Sequence, residues 1–139
     1  MKFELITLSG VKLDQAIYSA IIPTVDGQIS VFPSHEPLVT LARSGVIAVQ
    51  KQKDGDEVEY FAISGGVVEI THDSIRILVD EADHGDEIIE AEIKAALERA
   101  VKMRDETEDQ VEREKAHQLI DRHTVRLKVA DLQRRRRKG

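Results

Sequence analysis

The side chains in this sequence that could do covalent chemistry are few, and their spacing argues against catalysis. Cysteine is absent, which removes thiolate nucleophiles, thiolate zinc sites, iron–sulfur clusters and disulfides, and fits a reducing compartment. Gly65-Gly66 lacks the lysine and hydroxyl residue of a phosphate-cradling loop, and no GxGxxG run occurs. Ser64-Gly65-Gly66 reads as a tight bend or a close approach of strands rather than a nucleophile. His35-Glu36-Pro37 resembles half of a zinc-protease motif, but the second histidine four residues on is missing and Pro37 bars the aligning helix. His35, His72, His84, His117 and His123 are scattered without metal-ligand spacing, and the carboxylates fall in turns and on solvated faces.

The most informative charged groups are basic and lie late in the chain. Arg122, Arg126 and Lys128 precede the run Arg134-Arg135-Arg136-Arg137-Lys138. The formal net charge is −6 over 139 residues, but residues 1–85 carry −7, residues 86–114 carry −6 and residues 115–139 carry +7. A basic end on an acidic protein suits an acidic partner surface, a nucleic acid or an anionic membrane. Aromatic residues are 4% of the chain with none beyond Phe61, so the stacking rings of a single-strand binder are lacking, while binding to a duplex backbone stays open.

The elements that must position these groups fall into two halves. Lys2 to Leu8, Val11 to Pro23, Gln28 to Phe32, Val46 to Gln50, Val58 to Ser64, Val67 to Thr71 and Ser74 to Asp80 read as strands, short and rich in Val, Ile and Thr. Asp54-Gly55 predicts a hairpin turn using a positive φ at glycine, and Thr71-His72-Asp73-Ser74 predicts a second turn. Beyond it, Ile75, Ile77 and Val79 share one face of a strand, with Arg76 and Leu78 on the other. All three prolines, Pro23, Pro33 and Pro37, lie between Pro23 and Leu38, which predicts a partly irregular stretch at a sheet edge or in a loop.

From Asp86 onward proline is absent, and glycine is absent until Gly139. Ile89, Ile93, Ala96, Leu97, Ala100 and Met103 recur at helical spacing, with Asp86 and Glu87 placed to cap the first turn. The charged run Asp105 to Asp109 predicts a reversal, after which Val111, Ala116, Leu119, Ile120, His123, Leu127 and Ala130 form the stripe of a second helix. The expected fold is α+β: an N-terminal antiparallel β-sandwich over residues 1–85, then an antiparallel two-helix hairpin with a basic tail over residues 86–139. No apolar run reaches the ~20 residues of a membrane-spanning helix, and the start lacks a secretory signal, so a cytosolic location is expected.

Two stretches carry a family likeness. Gly27-Gln28-Ile29-Ser30-Val31-Phe32-Pro33-Ser34-His35-Glu36-Pro37-Leu38 resembles the loop signature G-x-x-G-x-x-P-x-H-x-P-L of the epsilon subunit of the F-type ATP synthase, the bacterial counterpart of the mitochondrial delta subunit. Phe61-Ala62-Ile63-Ser64-Gly65-Gly66-Val67-Val68-Glu69-Ile70 is similar to its second signature, in which S-G-G precedes an apolar pair, Glu and an apolar residue. Ser30 and Ser34 depart from the usual glycine and Glu36 from the usual alanine. The resemblance spans about Phe3 to Leu132 and implies a sandwich of about ten strands.

The resemblance further implies a subunit that is not catalytic alone and needs no cofactor. It would bind the gamma subunit and the ring of c subunits in the central stalk, with membrane association only through the complex at the cytoplasmic face of a bacterial plasma membrane. Gln28, Ser34, His35 and Glu36 would then meet the c-ring and gamma, while the hairpin inhibits ATP hydrolysis as Arg122, Arg126, Arg134, Arg135, Arg136 and Arg137 contact acidic loops of the beta subunits. Ala116, His123 and Ala130, small or polar within the second stripe, would ease exchange of the folded hairpin for gamma contacts. Some relatives bind ATP through a motif like I-D-x-x-R-A. Here the run is Ile88-Ile89-Glu90-Ala91-Glu92-Ile93, in which Ile89 replaces the aspartate and Glu92 the arginine, so no nucleotide site is expected. From the residues alone the alternative is a free adaptor whose basic helix binds nucleic acid or an anionic membrane.

Overall fold

The computed structural model describes residues 1–138, with side chains through Arg136. The first half forms ten strands: β1 (Lys2–Thr7), β2 (Gly10–Ala16), β3 (Ser19–Thr24), β4 (Gly27–Val31), β5 (Leu38–Ala42), β6 (Gly45–Gln50), β7 (Val58–Ile63), β8 (Gly66–Ile70), β9 (Ser74–Val79) and β10 (Ala82–His84). They are ordered β10-β7-β6-β3-β5-β8-β9-β1-β2, with β4 added on β3. Strands β3 and β5 join through one register pair, Thr24 with Ala42, so the sheet folds over there into two layers. One departure from a wholly antiparallel arrangement is β1, which runs parallel to β9 while pairing antiparallel to β2.

Side chains from both layers meet in one core. Phe3, Leu5, Ile22, Ile47, Phe61, Val68, Ile75 and Ile77 are almost fully excluded from solvent. The alternation expected in β9 is present: Ile75, Ile77 and Val79 point inward while Arg76 and Leu78 are exposed. Gly66 is where the chain needs the smallest residue, because a Cβ there would stand 1.9 Å from the Leu78 carbonyl oxygen. The expected close approach at Ser64-Gly65-Gly66 is therefore real.

Several sequence expectations need correction. The run Val11 to Pro23 is two strands broken at residues 17–18, because the backbone N–H of Tyr18 donates to Gln50 O and that of Ile17 to Met1 O. The stretch from Pro23 to Leu38 is more regular than its prolines suggest: Pro23 sits inside β3 and β4 follows, leaving residues 32–37 as the irregular loop. Strands β5 and β10 were not expected as separate elements. The link from β6 to β7 spans residues 51–57, not a tight turn, and positive φ among the described glycines is confined to Gly10 and Gly27. The Gln50 amide holds that wide loop by donating to Gln52 O at 3.0 Å and Lys53 O at 3.2 Å.

After β10 comes a 3-10 turn, Gly85–Glu87, and then α1 (Glu90–Glu106) and α2 (Gln110–Lys138). The first helix begins later than Asp86. His84 Nδ1 accepts from the Asp86 backbone N–H and closes the short turn, while α1 starts after Ile89 with no side-chain cap. The expected reversal is in place: Thr107 Oγ1 accepts from Asp109 N–H, and Asp109 Oδ1 accepts from Val111 N–H to start α2. Arg113 donates to the Thr107 carbonyl across the same bend.

Helix α2 packs on α1 and also on β7 and β6, so the hairpin is folded onto the sandwich. Of its expected stripe, Ala116, His123 and Ala130 are buried, whereas Val111 and Leu119 are exposed. Val129 and Gln133 are buried instead. The sheet side gives the helix a second contact face besides α1, with Arg122, Val125 and Arg126 lining a crevice with β7 and β10 residues and Gln133 against Gly85.

Candidate functional site

Three surfaces could carry function: the loop after β4, the outer face of one sheet layer, and the arginine face of α2. In the loop, Ser34 has φ +68°, a conformation that costs a non-glycine residue about 1–2 kcal/mol. Its backbone N–H donates to His72 O at 3.1 Å, which ties the loop to the β8–β9 turn. His35 is a loop histidine bonded to backbone, with Nδ1 2.7 Å from Glu36 O, and Phe32 packs edge-on to Tyr18 at 5.8 Å between centroids.

Ser34, His35 and Glu36 thus lie together at one end of the sandwich, but Gln28 does not join them. Gln28 is at the start of β4, at the end where Thr24 pairs with Ala42, roughly 13 Å back along the strand by ordinary strand rise. There it lines a groove with Gly45 and with Val125 and Lys128 of α2. The expected four-residue contact is therefore three residues at one end and one at the other.

The outer face of the second layer holds a feature that the strand reading missed. Leu41 pairs with Val67, Val67 with Leu78, Leu78 with Ile6, and Ile6 with Val11, in register across β5, β8, β9, β1 and β2. Leu41 and Val11 are more than half exposed, and Val39 on β5 is 71% exposed. A contiguous apolar row on the outside of a sheet marks a surface that another molecule covers. Its sequence signal was the pairing of apolar neighbours at Val67-Val68 and Leu78-Val79, which leaves one of each pair facing out.

On α2 the arginines are engaged within the chain. Arg126 Nε donates to Asp83 Oδ2 at 2.7 Å and Nη2 to Glu81 Oε2 at 3.1 Å, while Arg122 Nη1 lies 3.0 Å from the same Glu81 oxygen. Arg134 pairs with Glu90 on α1 and with Asp131, and Arg135 Nε lies 3.1 Å from Asp131 Oδ2. Arg136 reaches Glu57 in the β6–β7 loop at 3.5 Å. The Arg137 side chain lies outside the described residues. An acidic rim of Glu57, Glu81, Asp83 and Glu90 therefore occupies the arginines that a partner's carboxylates would need.

Two contacts set how closely α2 approaches. A Cβ on Gly85 would stand 2.8 Å from Gln133 Cβ, so glycine is required for the helix to seat there. His123 is buried beside Arg126, and its Nδ1 lies 3.2 Å from Arg126 Nη1. Burial, and then the charges of Arg126, Arg122 and Arg99, push its pKa below the ordinary histidine value against the opposing pull of Asp83. Of the nucleotide-motif positions, Ile89 and Glu92 are both solvent-exposed. Among the described residues no cluster of His, Asp and Glu has metal-site geometry.

Residues 1–85 match the family model described as "ATP synthase, Delta/Epsilon chain, beta-sandwich domain". The ATP synthase epsilon chain of Herpetosiphon aurantiacus is 36% identical over 139 residues, covering 98% of each chain. That of Laribacter hongkongensis is 34% identical and covers 91% of this chain and 93% of its own. A chain of the Euglena gracilis mitochondrial ATP synthase, solved as the OSCP/F1/c-ring assembly, superposes with a TM-score of 0.78 at 23% identity, covering 94% of this chain and 79% of that one, which is a likeness of fold. With a family match over more than half the chain and relatives alike over nearly its whole length, this protein belongs to the ATP synthase delta/epsilon chain family.

Proposed function

We propose that the chain is the non-catalytic epsilon subunit of an F-type ATP synthase, joining the gamma subunit to the ring of c subunits and restraining ATP hydrolysis through its helices. The observation that carries the coupling role is the in-register apolar row Leu41, Val67, Leu78, Ile6 and Val11, which this chain leaves uncovered on a rigid sandwich. Gamma is the partner assigned to it. The loop of Ser34, His35 and Glu36 then faces the c-ring, and Gln28 is left to the hairpin side of the sandwich. Torque passes through these contacts and no bond is made or broken.

Restraint of hydrolysis is assigned to the hairpin. Arg122, Arg126 and Arg134 to Arg136 are satisfied by the chain's own acids while the hairpin is folded, so contact with acidic loops of beta requires its release. The two states exchange one set of carboxylates for another, which keeps the difference between them small. Among the described residues no helix is long and apolar enough to cross a membrane. Association with the cytoplasmic face of a bacterial plasma membrane is accordingly assigned to the complex. The arginines' internal pairing also weakens the adaptor reading, since a nucleic acid or anionic lipid would have to displace those carboxylates.

Co-purification tests the coupling role. Leu41→Asp with Leu78→Asp should leave the isolated chain folded, because both side chains face solvent, and should abolish its retention on gamma. Undiminished retention would remove the row from the interface.

A further inference from the structure

We propose that His123 is an acid-sensitive latch pin: protonation of its ring releases α2 from the sandwich. The ring stands where three elements meet. Arg122 and Arg126 flank it on α2, Arg99 faces it from α1, and Asp83 faces it from β10, with Glu81 just before that strand held by both α2 arginines. Arg126 is the hub, since one guanidinium donates through Nε to Asp83, through Nη2 to Glu81 and through Nη1 to His123 Nδ1.

That last bond fixes the protonation state. An arginine can only donate, so Nδ1 must carry the lone pair and the ring must be neutral with its proton on Nε2. Adding a proton to Nδ1 destroys the acceptor and places a fourth cation among Arg99, Arg122 and Arg126. Asp83 and Glu81 are the acids that could compensate, and both are already engaged by arginines.

The direction of the pH effect follows from linkage. The released ring binds a proton near the ordinary histidine pKa of about 6.5, and the docked ring binds it only at lower pH. Docking is therefore at full strength above about pH 6.5 and is lost progressively as the pH falls toward the lowered value. One proton coupled in this way raises the released-to-docked ratio by up to about tenfold between pH 7.5 and 5.5. If the hairpin is the brake assigned above, acidification sets it; that consequence rests on the earlier reading, while the latch itself does not.

The test uses the isolated full chain, which has no cysteine of its own. Arg43→Cys in the β5–β6 turn and Gln118→Cys on α2, both at exposed positions, take a pair of distance labels. The urea concentration at which the pair separates is then read at pH 7.5 and 5.5. In the otherwise unchanged chain the midpoint should drop at pH 5.5, with the released-to-docked ratio at fixed urea up about tenfold. His123→Asn keeps an acceptor for Arg126 but cannot be protonated, and should lose most of that drop; His123→Gln serves if the first variant folds poorly. The other ionisable side chains are shared by all three chains, so an acid shift of the same size in both variants, or none with His123 present, overturns the proposal. Because no partner subunit is used, failure here leaves the brake reading untouched.

Discussion

The sandwich and the hairpin are held by different forces. The sandwich buries Phe3, Leu5, Ile22, Ile47, Phe61, Ile75 and Ile77 almost completely, in a core to which both sheet layers contribute. The hairpin's buried contacts are Ala100, Ala116, His123, Val129, Ala130 and Gln133, small or polar side chains, supplemented by ion pairs at a partly exposed rim. Burying a large apolar side chain contributes about 1.5–3 kcal/mol, whereas an exposed ion pair contributes about 0–1 kcal/mol. The difference teaches how one short chain can be both a stiff joint and a movable arm: rigidity sits where the volume is apolar, and exchangeability where charges can be traded.

The largest expected effect breaks the stiff half. Phe61→Ala removes a side chain that fills the core of β7 and packs edge-on to His84 at 4.9 Å, and should cost about 3–5 kcal/mol in urea unfolding. Both halves should then lose structure, since α2 rests on β7. Gly85→Val acts on the arm alone. Its side chain would collide with Gln133, so the α2 docking contact should weaken by about 1–3 kcal/mol, seen as faster amide exchange along the second half of α2 with the strands still protected.

Much of this comparison was legible in the sequence. Period-two runs and the proline-free, nearly glycine-free second half separate strands from helices, and the basic segment is visible as a charge asymmetry. What escaped was tertiary. Nothing local says that Val129 and Gln133 would be buried, because that depends on α2 packing against α1, β7 and the 3-10 turn at Gly85. Nor could spacing show that Gln28 and Ser34, six positions apart, lie at opposite ends of a strand, or that Leu41, Val67, Leu78, Ile6 and Val11 line up across five strands. Asp86 suggested a helix cap, but His84 closes a 3-10 turn there and α1 begins later.

Smaller changes sharpen the comparison. Ser34→Gly relieves the positive φ in the signature loop and should raise sandwich stability by about 1 kcal/mol, read as a higher urea midpoint with unchanged slope. Arg135→Ala removes a mostly exposed side chain whose partner among the described residues is Asp131 of its own helix, and should change stability by less than about 0.5 kcal/mol. A large loss there would mean that the arm's charges hold more than the rim geometry indicates.

The division of labour is tested most directly by removing the arm. A chain ending at Gly85 keeps all ten strands, the Ser34–Glu36 loop and the apolar row, and loses α1, α2 and every arginine assigned to the brake. Reconstituted with the other subunits of the ATP synthase, it should still assemble into the stalk, and the complex should hydrolyse ATP faster than one carrying the full chain. Equal hydrolysis rates in an assembled complex would contradict the account, leaving the hairpin a structural appendage of the joint.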